Sequence, residues 1–360
     1  MFQYKKDFEE VFARYEAWWN CEVLDRPLVS FTYAKPEADR VPGPPPKTYD
    51  SHRERWLDIE YRADCTAAHM ANAVFAADAL PTSWPNLGPE IFSAFYGCPM
   101  EFGESTSWSE PILKDWSEES LNALQLDWDH FYLRKILEFT DLLIERGRGK
   151  FMVGYTDIHP GADAVAAFRD PQMLCLDMIE HPQEVKRLVD RVTKDFFKVY
   201  DLFHERLQAA GMPSTTWLSA TGNGKYHVPS NDFSCMISDA MFEEIFLPGI
   251  IEECAFMDRC IYHLDGPQAL RYLDTLLAIP EIHAIQWVPG SGQSHWSQWI
   301  HVYQRIQEAG KAFVVYLPAQ DLAHLFEVLK PEGAWLSLHG VNSQEEGEQV
   351  LRQVASWSIW

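Results

Sequence analysis

Apolar residues recur at three- and four-residue intervals from Phe8 to Trp19, at Phe8, Val11, Phe12, Tyr15, Trp18 and Trp19, and predict an amphipathic helix. Residues 26–33 form a short run rich in β-formers and predict a first strand. Five prolines between positions 36 and 46 exclude regular structure there. Residues 51–77 place Trp56, Ile59, Ala63 and Ala67 on one face and read as a long helix. Residues 80–89 are too rich in Pro and Gly for helix or strand. Residues 95–108 predict a short hairpin, and residues 129–146 a helix.

Beyond residue 150 the pattern becomes a short apolar run, a loop and a helix, repeated. Strands are expected over 151–156, 215–219, 260–264, 282–288, 311–317 and 334–340, with a strand or active-site loop over 231–236. Helices fall between them, including a long one over 183–209 and a closing one over 343–355 that Ser343 can cap. Such alternation indicates a parallel sheet, and eight or so repeats indicate a (β/α)8 TIM barrel. The expected organisation is one domain over 1–360, with 1–25 as an N-terminal helical extension.

In this architecture the loops after the strands gather around one mouth, where barrels keep their chemistry. The stretch Cys260-Ile-Tyr-His-Leu-Asp-Gly-Pro267 ends a strand with His263 and Asp265, two residues apart and so on one side. Asp157, His159, Asp232, Gln286 and His339 also fall at strand ends. His263, Asp265, Asp157, His159 and Asp232 are candidate catalytic groups, as acids and bases. Trp84, Tyr155, Trp287 and Gln286 are candidate substrate contacts. Each has a plainer alternative: Asp and His often cap turns, and most tryptophans are packed in cores. His227 reads as a surface residue. Gly222-Asn-Gly224 lacks the spacing and the terminal Lys-Ser/Thr of a phosphate loop and reads as a turn.

The chain has 360 residues, 47% hydrophobic, ample for a large core. With 53 acidic and 30 basic side chains the formal charge is −23, which repels phosphate backbones and anionic lipid and argues against nucleic-acid and membrane-surface roles. Seven cysteines without a Cys-x-x-Cys pair suit a reducing compartment. No apolar run reaches the length of a membrane span, and residues 1–20 lack a signal-like apolar core, so the expected location is cytoplasmic.

Several segments resemble the superfamily of uroporphyrinogen decarboxylase and cobalamin-independent methionine synthase. They are Arg26-Pro27; Met152 to Tyr155 on through Phe168-Arg169-Asp170 to Val185; Tyr262-His-Leu-Asp-Gly266; and Ile285-Gln-Trp287 with the Gly-rich loop after it. The resemblance covers most of the chain and implies a distorted (β/α)8 barrel. Porphyrinogen decarboxylases carry an Arg-Gln-Ala-Gly-Arg segment near the N-terminus; Phe31-Thr-Tyr-Ala-Lys35 stands there instead, which argues against that reaction. The methyltransferase branch holds zinc through His-x-Cys and a later Cys-Gly. Here the matching positions are His263-x-Asp265, then Gln286, then His339-Gly340, so the resemblance implies His263, Asp265 and His339 as metal ligands. It further implies a methyltransferase-like enzyme, with zinc as cofactor and a corrinoid protein or methylated small molecule as donor. A small-molecule substrate and a homodimer complete the expected partners. The alternatives are a hydrolase, lyase or decarboxylase using the same His/Asp site, and a non-catalytic binding protein on the inherited fold.

Overall fold

The computed structural model describes residues 2–290 and 295–357. Eleven strands occur among them: β1 (Leu28–Ala34), β2 (Ala73–Ala77), β3 (Thr82–Ser83), β4 (Met100–Phe102), β5 (Ser107–Ser109), β6 (Met152–Val153), β7 (Tyr226–His227), β8 (Arg259–Asp265), β9 (Ala284–Val288), β10 (Ala312–Pro318) and β11 (Ala334–His339). Seven form one sheet in the order β2-β1-β11-β10-β9-β8-β7. Every neighbouring pair in it is parallel except β1 and β2. β3 and β6 form a separate parallel pair, and β4 and β5 form the expected hairpin. Helices connect the parallel strands, giving a mixed α/β architecture.

β8 to β11 carry near-continuous buried runs, as strands covered on both faces do. The helix Pro182–Ala209 packs Val185, Leu188, Val189, Val192, Phe196, Val199, Tyr200, Phe203 and Leu207 inward at helical spacing. The closing helix Gln344–Trp357 is capped as expected, Ser343 Oγ accepting the Glu346 N–H at 3.2 Å.

Two segments depart from the sequence pattern. The expected helix over 51–77 breaks into His52–Leu57 and Ile59–Asn72, and its last five residues become β2. Ala73–Ala77 contains good helix formers, but the free edge of β1 pairs with all five residues, and tertiary pairing outweighs local propensity. No ladder forms over 215–219; that segment is held by single contacts such as the Tyr155 N–H to Thr215 O bond at 3.1 Å. The approach needs a glycine, because a Cβ on Gly154 would sit 2.6 Å from the Thr215 carbonyl oxygen.

The N-terminal helix Phe8–Trp19 is part of the core rather than an appendage. Trp18 Nε1 donates to Gly333 O just before β11, Trp19 Nε1 donates to Thr221 O, and Trp19 also packs on His283 just before β9. This helix therefore closes the N-terminal end of the strands. Nearby, the fully buried Asp78 carboxylate takes Arg26 Nη2 at 3.1 Å, Arg14 Nη1 at 3.2 Å and the Val29 N–H at 2.9 Å, which fixes the start of β1. The opposite end of the sheet is left for chemistry. No described helix is long and apolar enough to cross a membrane.

Candidate functional site at the strand ends

β8 delivers His263 and Asp265 to its C-terminal end, both half-buried, while Tyr262 and Leu264 pack away into the core. The ladder fixes this strand on both sides: His263 lies opposite Gln286 of β9, and Ser230 bridges to His263. Gln286 is buried and orients the ring. His263 Nδ1–H donates to Gln286 Oε1 at 2.7 Å, and Gln286 Nε2 donates to Tyr316 Oη at 2.6 Å. An amide oxygen can only accept, so Nδ1 carries a proton in this bond and Nε2 is the ring atom left over for another partner. The Trp217 ring meets the imidazole edge-on, with centroids 5.5 Å apart.

Asp232 joins this pair from outside the sheet. It opens the 3₁₀ turn Asp232–Met236, whose start hangs on Asp163: that carboxylate accepts the N–H groups of Asp232 at 3.2 Å and Phe233 at 3.0 Å, and the Ser230 hydroxyl at 3.0 Å. Ligand-capable atoms of Asp232, His263 and Asp265 all lie within 4.8 Å of one another. Asp265 Oδ1 is buried and has no hydrogen-bond partner. A buried carboxylate oxygen left unpaired is costly, and a cation would satisfy it. One imidazole nitrogen and two carboxylates are competent donors for a divalent metal such as zinc. Asp232 keeps solvent access at the rim, yet crowding by protein and the nearby Asp163 push its pKa up to about 6, with His263 and His159 pulling the other way.

His159 lies alongside. Its Nε2 faces Asp157 Oδ1 at 2.8 Å, and its Nδ1 is 2.8 Å from Ser230 Oγ. Ser230 donates its proton to Asp163, so His159 Nδ1–H is the donor to Ser230 and both ring nitrogens carry protons. Burial alone would disfavour the charge, but Asp157, Asp163 and Asp232 outweigh it and raise the His159 pKa to about 10. At neutral pH His159 is therefore a fixed imidazolium that ties the loop after β6 to the turn carrying Asp232, not a base.

The other expected site residues are placed elsewhere. His339 is exposed at the end of β11, opposite Pro318. Three inter-strand steps of ~4.8 Å separate β11 from β8, and the group that reaches His263 and Asp265 is Asp232 instead of His339. Trp287 is 0% exposed and packs on Trp299, because the alternation that turns Gln286 toward the mouth turns Trp287 away. Trp84 lies against Cys65, His69 and Asn86, at a shallow depression apart from the His263 group. Tyr155 is 2% exposed, below the mouth. The Gly-rich loop 289–292 falls partly outside the described residues.

Tyr155 belongs to a second, buried constellation. Its hydroxyl is 2.7 Å from His227 Nδ1, and His227 Nε2 is 2.6 Å from Glu253 Oε1. His227 is thus a core residue of β7, not a surface one; the short β7 pairs with the start of β8 and draws it inward. Asp163, Ser230 and Tyr316 also escaped the sequence reading. Asp163 had a usable signal: it stands in the first turn of the helix Gly161–Arg169, directly after the Asp157 to Gly161 loop.

Two cavities lie near the His263 group. The larger, about 590 Å³, takes His159, Asp163 and Asp232 into its wall. The smaller, about 250 Å³, is lined by Trp217 and Tyr316 among others. The smaller is separated from the imidazole and Gln286 by Trp217 and Tyr316, which touch them, whereas the larger has Asp232 itself in its wall.

No protein-family model matches the sequence, and no curated protein matches it. Among solved structures, a methyltransferase from Methanosarcina mazei is similar in fold, with a TM-score of 0.59 at 11% identity over 96% of this chain and 98% of that one.

Proposed function

We propose that this chain is a metal-dependent enzyme on a uroporphyrinogen decarboxylase-like (β/α)8 barrel, acting on a small molecule at the C-terminal ends of the strands. The observation that carries the reading is the convergence of Asp232, His263 and Asp265, with His263 Nδ1 engaged by Gln286 so that Nε2 is left for a ligand, and Asp265 Oδ1 buried and unpaired. On this reading β3, β6 and the segment around Thr215, which lie outside the seven-stranded sheet, would complete the ring.

Methyl transfer is the chemistry that the likeness in fold favours, with a methylated small molecule or a corrinoid protein as donor. The donor set refines it. Thiolates keep a zinc-bound thiol nucleophilic, whereas an imidazole with two carboxylates leaves the ion electrophilic, suited to polarising a bound oxygen or to making hydroxide from water near pH 7. The acceptor is accordingly an oxygen or nitrogen group rather than a thiol. Hydrolysis or lyase chemistry is a second reading, favoured by the same donors. In either, Gln286 holds the His263 ring, Asp163 holds Asp232, and the larger cavity admits substrate.

The test is the metal content of the purified protein beside four variants. About one divalent ion per chain is expected in the wild type, lost in His263→Ala and Asp265→Ala, weakened in Asp232→Ala and retained in His339→Ala. A wild type without metal after reconstitution overturns the metal reading. Loss in His339→Ala with retention in Asp232→Ala overturns the ligand set.

A further inference from the structure

The larger cavity shares Asp232 with the ligand group but is otherwise built by other elements: the residues around Glu90, the β4–β5 hairpin and the helix Gly161–Arg169. Five carboxylates line it, from Glu90, Glu110, Asp163, Asp170 and Asp232, and among the described lining residues there is no Lys or Arg. The hydrogen bonds these carboxylates accept come from neutral donors. Glu90 takes the Ser109 N–H and hydroxyl, Asp163 takes two backbone N–H groups and a serine hydroxyl, and Asp170 takes the N–H groups of Gln172 and Met173. None of the five is paired with a Lys or Arg among the described residues of the wall. The one cation among those residues, His159, is shared among Asp157 at 2.8 Å, Asp163 and Asp232, so the carboxylates outnumber it.

The remaining wall is apolar and aromatic, with Phe92, Phe233, Met236 and Trp108. Trp108 is 45% exposed, unusual for the largest apolar side chain. A concave space in which carboxylates outnumber cations, beside an accessible indole, repels anions and attracts a weakly hydrated cation over a neutral group of the same shape, because the cation also gains from the ring's negative face.

We propose that this cavity binds an organic cation, an amine or quaternary ammonium group carried on an apolar body, and that this is the substrate class of the adjoining site. The assignment as substrate rests on the enzyme reading above; the binding does not.

Three probes of nearly one shape test it: choline, its uncharged isostere 3,3-dimethyl-1-butanol, and the anion 3,3-dimethylbutanoate, titrated calorimetrically at low salt. Choline is expected to bind at least about ten-fold more tightly than the neutral isostere, and the anion not at all. Trp108→Ala should weaken choline about ten-fold, and Glu110→Gln by a smaller factor that added salt abolishes. Equal binding of the isostere, binding of the anion, or no binding of choline overturns the proposal. Metal content measured on the same sample separates the two readings. Choline binding without metal removes the enzyme reading and keeps the cavity, and metal without choline binding does the reverse.

Discussion

His263 gives its Nδ1 proton to the amide oxygen of Gln286 at 2.7 Å, and this bond, more than the position of the histidine, decides what the site can do. It puts a proton on Nδ1 and leaves Nε2 as the ring atom that can serve the group formed with two carboxylates. Tyr316 accepts in turn from Gln286 and steadies the amide.

Removing that acceptor should show in metal affinity before it shows in folding. Gln286→Leu is expected to lower divalent-metal affinity by about 10- to 100-fold, the usual effect of losing a histidine's supporting partner. Gln286→Glu keeps an acceptor and adds charge, so it should bind metal at least as tightly as wild type. Competitive titration against a chelating dye measures both, and an unaffected Gln286→Leu would sink the role.

His159 predicts an alkaline stability profile. Its pKa is raised in the folded protein to about 10, against an unfolded value near 6.5, so the folded state holds the proton more tightly. The stabilisation is fully present below about pH 6.5 and fades as the pH climbs to about 10. Melting curves of wild type and His159→Gln should therefore lie furthest apart near pH 6 and converge toward pH 10. A gap that stays constant over that range would refute the charged pair.

Asp232 carries the opposite sign. Its pKa is raised to about 6, so the folded protein favours the neutral acid and this group loses stability as the pH rises from the unfolded value of about 4 through 6. Without metal, Asp232→Asn should raise the Tm at pH 7.5 by about 2 °C by relieving repulsion from Asp163, while weakening metal binding. Metal uptake by the wild type should rise with pH around 6, as the carboxyl ionises. A less stable Asp232→Asn would contradict this account.

The core triad Tyr155–His227–Glu253 should be expensive to break. Glu253→Ala leaves a buried histidine without its acceptor and is expected to cost about 3–5 kcal/mol, and Tyr155→Phe about 1–3 kcal/mol. Urea unfolding gives both. Losses under 0.5 kcal/mol would mean the three groups are not coupled in solution.

What the sequence disclosed follows from which periodicities are local. The alternation of β8 put His263 and Asp265 on one side, and the same rule applied to β9 separates Gln286 from Trp287; treating both as substrate contacts ignored it. Asp232 was visible as a polar residue near a strand end, but its approach to His263 depends on Asp163, some seventy residues earlier, and no pattern within the turn encodes that distance. His227 looked like loop because two residues of strand are too few to show a period, and its burial comes from pairing with β8. His339 was carried over from a family motif, and the residue that lies beside His263 and Asp265 is Asp232, which the motif does not contain.

The three side chains that converge differ in how they are mounted. His263 and Asp265 ride on a strand paired along both edges, whereas Asp232 opens a five-residue turn held outside the ladder, by Asp163 at its start and by Arg271 and Tyr272 through the Ser234 carbonyl. Mutations at the rim position of the turn can exchange the third carboxylate without disturbing the ladder, so under the metal reading proposed above selection would retune the ion at one short segment. A frame of this kind makes new chemistry an affair of a few codons while the expensive part of the protein, its packed sheet, is inherited unchanged.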